Sequence, residues 1–420
     1  MYECESFTVL KLFLALLVAA ALLLVAWSLV VPIFEAPDEP AHWAYARYIH
    51  DQHRLPPPGT LAQANYPPLY YLLIAPLATV SPLPSSLAAT TAPPRLYANA
   101  DDDLVRYWPL RLARLVGVFL SLVTIACCFL AGRAATGQSA TGLLAAGLVA
   151  FLPQFTFRGM NICDDTLLMA LSALITYLLI RIWRRGFSWP VAVGASIVVG
   201  GAILTKISAL FFLLSLALAL AKRAGSWRVR IGRLSCLGLT LALLAPWLLY
   251  NQRNVGDPLA VRAVRGAVAE RSESHMLLSR YFLVDFPAHT LKSFIANFGW
   301  QNLGLPWWLY GVYGLVIAIA ALGLINGYRR GALDLGIVGG LLLIAVLNLA
   351  VVITINLSYT AWQGRYLFPA LAALGVLGAL GLERLPRWTP QRGIAVCTAL
   401  ALLDAAILGA VVYPAYWPAS

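Results

Sequence analysis

The chain leaves its first apolar segment through three carboxylates and a histidine: Glu35, Asp38, Glu39 and His42. Asp38 and His42 are four residues apart, so on a helix their side chains share one face. A carboxylate at such a position can act as the general base that takes a proton from an attacking hydroxyl. It can also simply cap the helix that follows. The spacing alone leaves both interpretations open.

A second acidic pair, Asp164 and Asp165, stands at the start of a later apolar segment, with Arg158 and Asn161 shortly before it. Acidic residues are favoured at the N-terminus of a helix by its dipole, so capping is again one interpretation. One cap needs only one acidic residue. The pair therefore also indicates a binding or catalytic role.

Two cations stand alone among apolar residues. Lys206 separates two apolar segments, and Arg365 lies beside Tyr366 at the start of another. Charged side chains at membrane depth are costly, so they either mark a functional site or reach back to the interface as anchors. A lysine offers phosphate a point charge, and an arginine offers it a bidentate fork.

The composition assigns these residues to a membrane protein. Of 420 residues, 60% are hydrophobic and 11% are charged, whereas a soluble chain has about 25% charged residues. A span needs about 20 apolar residues, and eleven segments come near this length: 7–33, 110–131, 138–157, 163–181, 188–205, 207–221, 234–250, 306–326, 335–355, 366–382 and 393–412. We predict an all-α polytopic membrane protein of about eleven transmembrane helices, as a single domain over residues 1–420. The first segment is too long for the core of a signal peptide, which predicts an uncleaved helix.

The Lys and Arg residues between the segments orient the chain. With a cytoplasmic N-terminus every inside loop is basic, whereas the short outside connections carry one basic residue each. The net charge of +12 then belongs to cytoplasmic loops and does not indicate nucleic-acid binding. The candidate site residues all fall on the outer side. The six cysteines show no paired spacing, so we predict neither a disulfide framework nor a metal, and a divalent cation is not favoured.

The same orientation places two long loops outside, over residues 34–109 and 251–305. In the first, an amphipathic helix runs from Asp38 to Arg54, and a short apolar segment over 67–80 lies at the membrane interface. The apolar stripe of the helix is predicted from its spacing to comprise Ala41, Ala44, Tyr45, Tyr48 and Ile49.

Acidic and cationic residues that converge on the outer face suit transfer from a lipid-phosphate-linked donor. The phosphate leaving group needs cations, and the acceptor hydroxyl needs a carboxylate base. The alternative is a transporter or flippase, in which intramembrane charges line a substrate path. Clustering at one face, and no visible inverted repeat in the sequence, favour transfer over transport.

Five motifs, in order along nearly the whole chain, resemble those of the GT-C superfamily of membrane glycosyltransferases. They are Pro37-Asp38-Glu39 with His42; Asp164-Asp165-Thr166-Leu167, similar to an NDxL signature; Leu204-Thr205-Lys206; Pro246-Trp247 through Gly256-Asp257-Pro258-Leu259; and Gly364-Arg365-Tyr366-Leu367-Phe368-Pro369. The chain is most similar to the DUF2142-like and dolichyl-phosphate-mannose-protein-mannosyltransferase-like bacterial branches. Asp164 stands where the signature has Asn, which leaves open which aspartate is the functional one.

The resemblance implies a GT-C-like fold with two interfacial helices in the first outer loop. It also implies a polyprenyl-phosphate-linked sugar donor and transfer at the outer face of a bacterial inner membrane. Asp38 would be the catalytic base with Glu39 beside it, and Asp165 would position the acceptor or the base. Lys206 and Arg365 would bind the donor phosphate. Further predicted substrate-binding residues are His42, Asp164 and Tyr366. The sugar and the acceptor, whether glycan, lipid or protein, stay open.

Overall fold

The computed structural model describes residues 2–78, 108–222, 225–263 and 275–417, and the side chains from residue 8 onward. The helices of the first half are α1 (Tyr2–Val30), α2 (Glu39–Gln52), α3 (Leu69–Ile74), α4 (Trp108–Thr136), α5 (Ser139–Ala150), α6 (Pro153–Gly159), α7 (Asp164–Arg185), α8 (Trp189–Thr205) and α9 (Phe211–Ala221). Short 3₁₀ turns extend α3 over Ala75–Leu77 and precede α9 over Ile207–Leu210.

The second half is also helical apart from one small hairpin. Its helices are α10 (Trp227–Leu234), α11 (Leu237–Val255), α12 (Phe286–Ile295), α13 (Trp307–Arg329), α14 (Leu335–Asn356), α15 (Leu371–Leu382), α16 (Pro390–Ile407) and α17 (Tyr413–Tyr416). π-helical turns cover Tyr281–Asp285 and Leu408–Val412, and a 3₁₀ turn covers Gly364–Ala370. The antiparallel strands β1 (Asn297–Phe298) and β2 (Leu303–Gly304) form the hairpin.

The chain is a multi-pass membrane protein, as its composition predicts. Within the described residues, 8 helices are long and apolar enough to cross a membrane, and α5 and α6, bent by 72° at their junction, pass the same test only as a pair. The remaining predicted spans, over Trp189–Thr205 and Ile207–Ala221, are shorter apolar helices. Each predicted segment therefore has a helical counterpart, but the count of eleven spans stays a prediction.

The helices differ in how deeply they lie in the bundle. Of the most apolar part of each span, 61% is buried in α4 and 72% in α7, against 22% in α13. α4 packs along α5 and α7, and α15 packs along α5 and α13. The peripheral helices keep their apolar side chains outward, where lipid replaces water as the solvent.

Small residues bring α13 and α15 into direct backbone contact. A Cβ added at Gly323 would overlap the carbonyl of Gly381, and one added at Gly381 would overlap the carbonyl of Ala320. Helices in a membrane gain little from the hydrophobic effect between them, so close backbone approach at small residues is a main source of their association.

The described part of the loop between α1 and α4 folds over the ends of α4 and α7 through a cluster of aromatic side chains that includes Trp43, Tyr70 and Tyr71. The buried residues of α2 are Glu39, His42, Trp43, Tyr45, Ala46 and Ile49. Of the predicted apolar stripe, Tyr45 and Ile49 are buried, whereas Ala41, Ala44 and Tyr48 are half-buried. The reason is that the inward face of α2 is set by the polar partners of Glu39 and His42, which apolar spacing does not detect. The segment over 67–80 forms α3 and its 3₁₀ turn, while residues 79 and 80 lie outside the described residues.

Candidate active site

Asp38 stands directly before α2 in a left-handed conformation, with φ 69° and ψ −5°. Its side chain makes no capping hydrogen bond to the helix. It accepts instead a hydrogen bond of 2.6 Å from Nη2 of Arg365. A non-glycine residue with positive φ costs about 1 kcal/mol or more. The contacts of Asp38 therefore differ from those of a simple helix cap.

Arg365 changes the acidity of Asp38. Burial raises the pKa of the Asp38 carboxyl. The charge of Arg365 and its hydrogen bond lower that pKa by more, with smaller contributions from His42 and Arg158, so that the pKa is about 2. The side chain is 33% exposed. Asp38 is thus an ionised and partly accessible carboxylate at neutral pH.

Asp164 and Asp165 are the first residues of α7. Asp165 receives Nζ of Lys206 at 2.6 Å and Nη2 of Arg158 at 3.0 Å, and Nη1 of Arg365 lies 3.6 Å away. Asp164 receives the same lysine at 3.2 Å. Both aspartates therefore belong to one ion-pair network. Asp165 is its centre, because it contacts all three cations.

Lys206 and Arg365 owe their positions to breaks between helices. Lys206 has extended backbone between α8 and the 3₁₀ turn of Ile207–Leu210. Arg365 lies in the 3₁₀ turn before α15, where a Cβ on Gly364 would overlap the backbone of Phe294. The ring of Tyr366 lies between the two cations, 5.8 Å from Nζ of Lys206 and 5.4 Å from the guanidinium carbon of Arg365. Such distances are in the range of cation–π attraction.

His42 joins the loop between α1 and α4 to this network. Its Nδ1 and the hydroxyl of Tyr71 are hydrogen-bonded at 2.9 Å, and its Nε2 lies 3.9 Å from Oδ1 of Asp164. Burial lowers the pKa of His42 more than Asp164 and Asp38 raise it. The imidazole is therefore neutral at physiological pH.

Glu39 lies beside Asp38 in sequence but in different surroundings. It forms a bidentate ion pair with Arg114, with distances of 2.9 and 2.8 Å, and both side chains are 0% exposed. The backbone N–H groups of Phe34 and Ile162 also donate to it. Its catalytic assignment stays a prediction, and its enclosure favours a positioning role.

Two arginines at this end of the bundle were not among the predicted site residues. Arg114 fastens the end of α1 through the carbonyls of Ser28, Val31 and Pro32. Arg158, at 1% exposure, pairs with Asp165. The available signal was an ionisable residue within an apolar segment for Arg114, and one in the short connection between two such segments for Arg158.

The charges in the network balance. Asp38, Asp164 and Asp165 supply three negative charges, and Arg158, Lys206 and Arg365 supply three positive ones. Among the residues that the structure describes, no group of three or more His, Cys, Asp or Glu is arranged to hold a metal ion. The predicted lack of a resident cation stays a prediction.

A cavity of about 410 Å³ lies at the end of the bundle opposite the charged network, between α1, α5 and α16. Its lining is mainly apolar, as at Leu12, Leu144 and Ile394, with Glu383 at its edge. Ion-pair chemistry is concentrated instead around Asp165. We therefore take the charged network as the candidate active site.

Comparisons with known proteins identify the fold of the chain. Residues 107–250 match the family model described as dolichyl-phosphate-mannose-protein mannosyltransferase. ArnT from Cupriavidus metallidurans bound to undecaprenyl phosphate superposes with a TM-score of 0.57 at 18% identity, covering 95% of this chain and 65% of that one. Its apo form gives 0.55 at 17% identity, with the same coverage. The chain has the GT-C fold.

The predicted GT-C resemblance is thus confirmed at the level of the fold. The chain spans about two thirds of the length of ArnT. The archaeal oligosaccharyltransferase AglB from Archaeoglobus fulgidus, in complex with an inhibitory peptide and a dolichol-phosphate, has a TM-score of 0.49 at 14% identity, covering 96% of this chain and 55% of that one. No curated protein sequence matches the chain.

Proposed function

We propose that this protein transfers a sugar from a polyprenyl-phosphate-linked donor to a hydroxyl acceptor at the outer face of the membrane. The observation that carries the proposal is the convergence of four distant segments on one network. Asp38 follows α1, Asp165 begins α7, Lys206 follows α8 and Arg365 precedes α15. A base, an acidic anchor and two cations for phosphate are the groups that such a transfer requires.

The comparisons support the class of donor. The family description names dolichyl-phosphate-mannose, and the structure of ArnT holds undecaprenyl phosphate. Both are lipids with a phosphate on a polyprenyl chain. The polyprenyl chain of such a lipid can lie along the apolar outer surface of the helix bundle. The lipid phosphate can then reach Lys206, which is 17% exposed.

In the proposed reaction, an acceptor oxygen attacks the anomeric carbon of the donor sugar. The new carbon–oxygen bond forms as the bond from that carbon to the phosphate oxygen breaks, and its electron pair stays on the phosphate. Asp38 takes the acceptor proton. A single displacement of this kind inverts the configuration at the anomeric carbon.

Arg365 has two roles in this mechanism. In the resting structure it holds Asp38 at 2.6 Å and keeps the pKa of that carboxyl near 2, which makes Asp38 a weak base. A donor phosphate competes for the same guanidinium. When Arg365 turns to the phosphate, Asp38 loses its strongest acidifying partner and becomes a better base.

The other predicted residues have supporting roles in the proposal. Asp165 fixes the positions of Lys206, Arg158 and Arg365 through its contacts with all three. His42 and Asp164 contact the substrate from the loop side, and the ring of Tyr366 lies beside the donor phosphate. Glu39 and Arg114 keep the Asp38 loop in place.

The proposal includes a location and an acceptor class. The protein lies in a bacterial inner membrane with its N-terminus in the cytoplasm and its active site outside. The acceptor carries a hydroxyl, on a glycan, a lipid or a protein, and the sugar is a hexose or a pentose. The charges cluster at one end of the bundle rather than at mid-membrane, which favours transfer over transport.

The test is transfer of labelled sugar from polyprenyl-phosphate donors in reconstituted membranes. Wild type is compared with Asp38→Asn and with Asp51→Asn. Asp51 is the matched control, since it lies on α2 and pairs with Arg47 at the surface. We expect Asp38→Asn to bind donor but to lose turnover by about 10²–10⁴-fold, and Asp51→Asn to retain wild-type rates.

Two results would contradict the proposal in different ways. Full activity in Asp38→Asn would remove Asp38 as the base and leave the transferase function standing. A wild-type protein that neither binds nor consumes any polyprenyl-phosphate donor would reject the function itself and favour transport.

A further inference from the structure

A small polar cavity lies next to the ion-pair network. Its volume is about 10 Å³, which is near the room that one water-sized oxygen needs. Arg158 and Arg365 form part of its wall, and Pro37, the neighbour of Asp38, forms another part. The cavity is therefore lined by two arginines of the network and by the residue that precedes the proposed base.

The two arginines bring unused hydrogen-bond donors to this place. Nε and Nη1 of Arg158 and Nε of Arg365 are buried and have no hydrogen-bond partner among the residues that the structure describes. The two side chains are 1% and 8% exposed. A buried charged donor without a partner is costly, and each one in a native structure requires an explanation.

The remaining wall is also polar. Gln154, Asn297 and Gln363 line it with amide groups. Gln154 is fixed because its Oε1 accepts a 2.6 Å hydrogen bond from the backbone N–H of Asn297. A site with several donors, two of them cationic, and space for one oxygen fits an oxygen that carries negative charge.

On the basis of the proposed function, we propose that this cavity receives the phosphate oxygen that leaves the sugar, and that Arg158 is a catalytic residue which binds it. In the donor this oxygen bridges sugar and phosphorus and carries little charge. When its bond to the anomeric carbon breaks, it takes the electron pair and the phosphate becomes a monoester dianion. The free N–H groups of Arg158 meet the charge at the place where it develops.

This role separates Arg158 from the other cations. Lys206 and Arg365 contact phosphate oxygens that are charged before and after the reaction, so they bind donor and transition state alike. Arg158 contacts an oxygen whose charge appears only as the bond breaks. An interaction of that kind raises kcat without tightening the donor.

The test uses Arg158→Lys, which keeps the positive charge beside Asp165 and removes the free guanidinium donors. Arg184→Lys is the matched control, because Arg184 is exposed at the other end of the bundle. Thermal unfolding of both variants checks their folding. We expect Arg158→Lys to lower kcat on the order of a hundredfold and to leave KM for the donor within about twofold.

Binding of two probe lipids gives a second readout that needs no turnover. Undecaprenyl phosphate carries the freed oxygen, and its methyl phosphodiester does not. At pH 8 the monoester is a dianion, since the second pKa of a phosphate monoester is about 6. Arg158→Lys should weaken binding of the monoester about tenfold or more and leave the diester unchanged. This difference should shrink at pH 5.

Equal losses for both lipids, or none for either, would overturn the assignment of Arg158, as would a variant that changes KM alone. Failure of wild type to bind either lipid would reject the proposed function and this inference with it. Lys206→Met distinguishes the proposed function from the role of Arg158. This variant should weaken binding of both lipids equally if Lys206 belongs to a general phosphate site.

Discussion

Asp38 and Glu39 are neighbours in sequence, yet their carboxylates face different tasks. Asp38 is partly exposed and held by one cation, Arg365. Glu39 is enclosed by Arg114 and two backbone N–H groups. A residue that exchanges protons with a substrate needs access to it. The pair is thus divided into one carboxylate available for chemistry and one that holds the loop.

The buried ion pair of Glu39 and Arg114 should contribute to the stability of the protein. Glu39→Gln leaves the buried charge of Arg114 without its partner, so it should destabilise the protein by about 3–5 kcal/mol. Asp51→Asn breaks the exposed pair with Arg47 and should cost about 0–1 kcal/mol. The measurement is unfolding in detergent micelles, monitored by circular dichroism.

A double-mutant cycle isolates the interaction. Glu39→Gln combined with Arg114→Gln should be clearly more stable than the sum of the two single changes, since neither charge is then left alone. Strict additivity would show that the two residues act separately, and the view of this pair as the clamp of the first loop would be abandoned.

At the scale of elements, the candidate active site depends on the interruptions between helices. α8 ends at Thr205, α7 begins at Asp164 and a 3₁₀ turn precedes α15. Each break places charged residues at the ends of these helices, where a continuous helix would direct them into lipid. The elements thereby place costly charges where partners from other helices neutralise them.

A substitution at Gly364 tests whether the 3₁₀ turn before α15 positions Arg365. A Cβ at this position would overlap the backbone of Phe294 and the carbonyl of Thr290 in α12, so Gly364→Ala must shift the turn that carries Arg365. Misplacement of a substrate-binding group by about 1 Å costs on the order of a hundredfold in rate. We expect transfer activity to fall by this amount while the variant stays folded.

The control for this variant is Gly314→Ala in α13, where an added Cβ meets no atom within 4 Å. Alanine is also the better helix former there. Wild-type activity in Gly364→Ala, measured by the same sugar-transfer assay, would mean that the turn accommodates the methyl group and that its glycine does not position Arg365.

At the scale of the whole molecule, one end of the bundle carries the ion-pair network and the other carries basic clusters. Arg184 lies in the last turn of α7, Arg329 is the last residue of α13 with Arg330 directly after it, and Arg384 follows α15. Each of these lies at the end opposite Asp165 and Arg365. By the positive-inside rule, the network should face the outside of the cell.

Cysteine labelling in intact cells tests this orientation. Gln52→Cys at the end of α2 and Arg330→Cys after α13 introduce exposed thiols at the two ends, in a Cys4→Ser background. The native cysteines Cys127, Cys128, Cys163, Cys236 and Cys397 are buried. A membrane-impermeant maleimide should label Gln52→Cys directly, and Arg330→Cys only after permeabilisation. The reverse pattern would invert the topology.

The predicted spans have helical counterparts because bilayer thickness sets a length that can be measured along the sequence. The inward face of α2 was less predictable. Its stripe was assigned from apolar residues, whereas Glu39 and His42 also turn inward to meet Arg114, Tyr71 and Asp164. Polar partners on distant elements override amphipathic spacing whenever they can neutralise a buried charge.

The amino-acid sequence by itself determined the membrane class, the approximate spans and the ordered motifs, because these depend on local composition and short spacing. The tertiary structure decided which charges meet. Asp38 and Arg365 are 327 residues apart, and Glu39 and Arg114 are 75 apart. Such pairs depend on how each helix is rotated and packed against its neighbours. Only that packing shows that Arg158, which has buried donors without a partner among the described residues, lines a small polar cavity with Arg365 and Pro37.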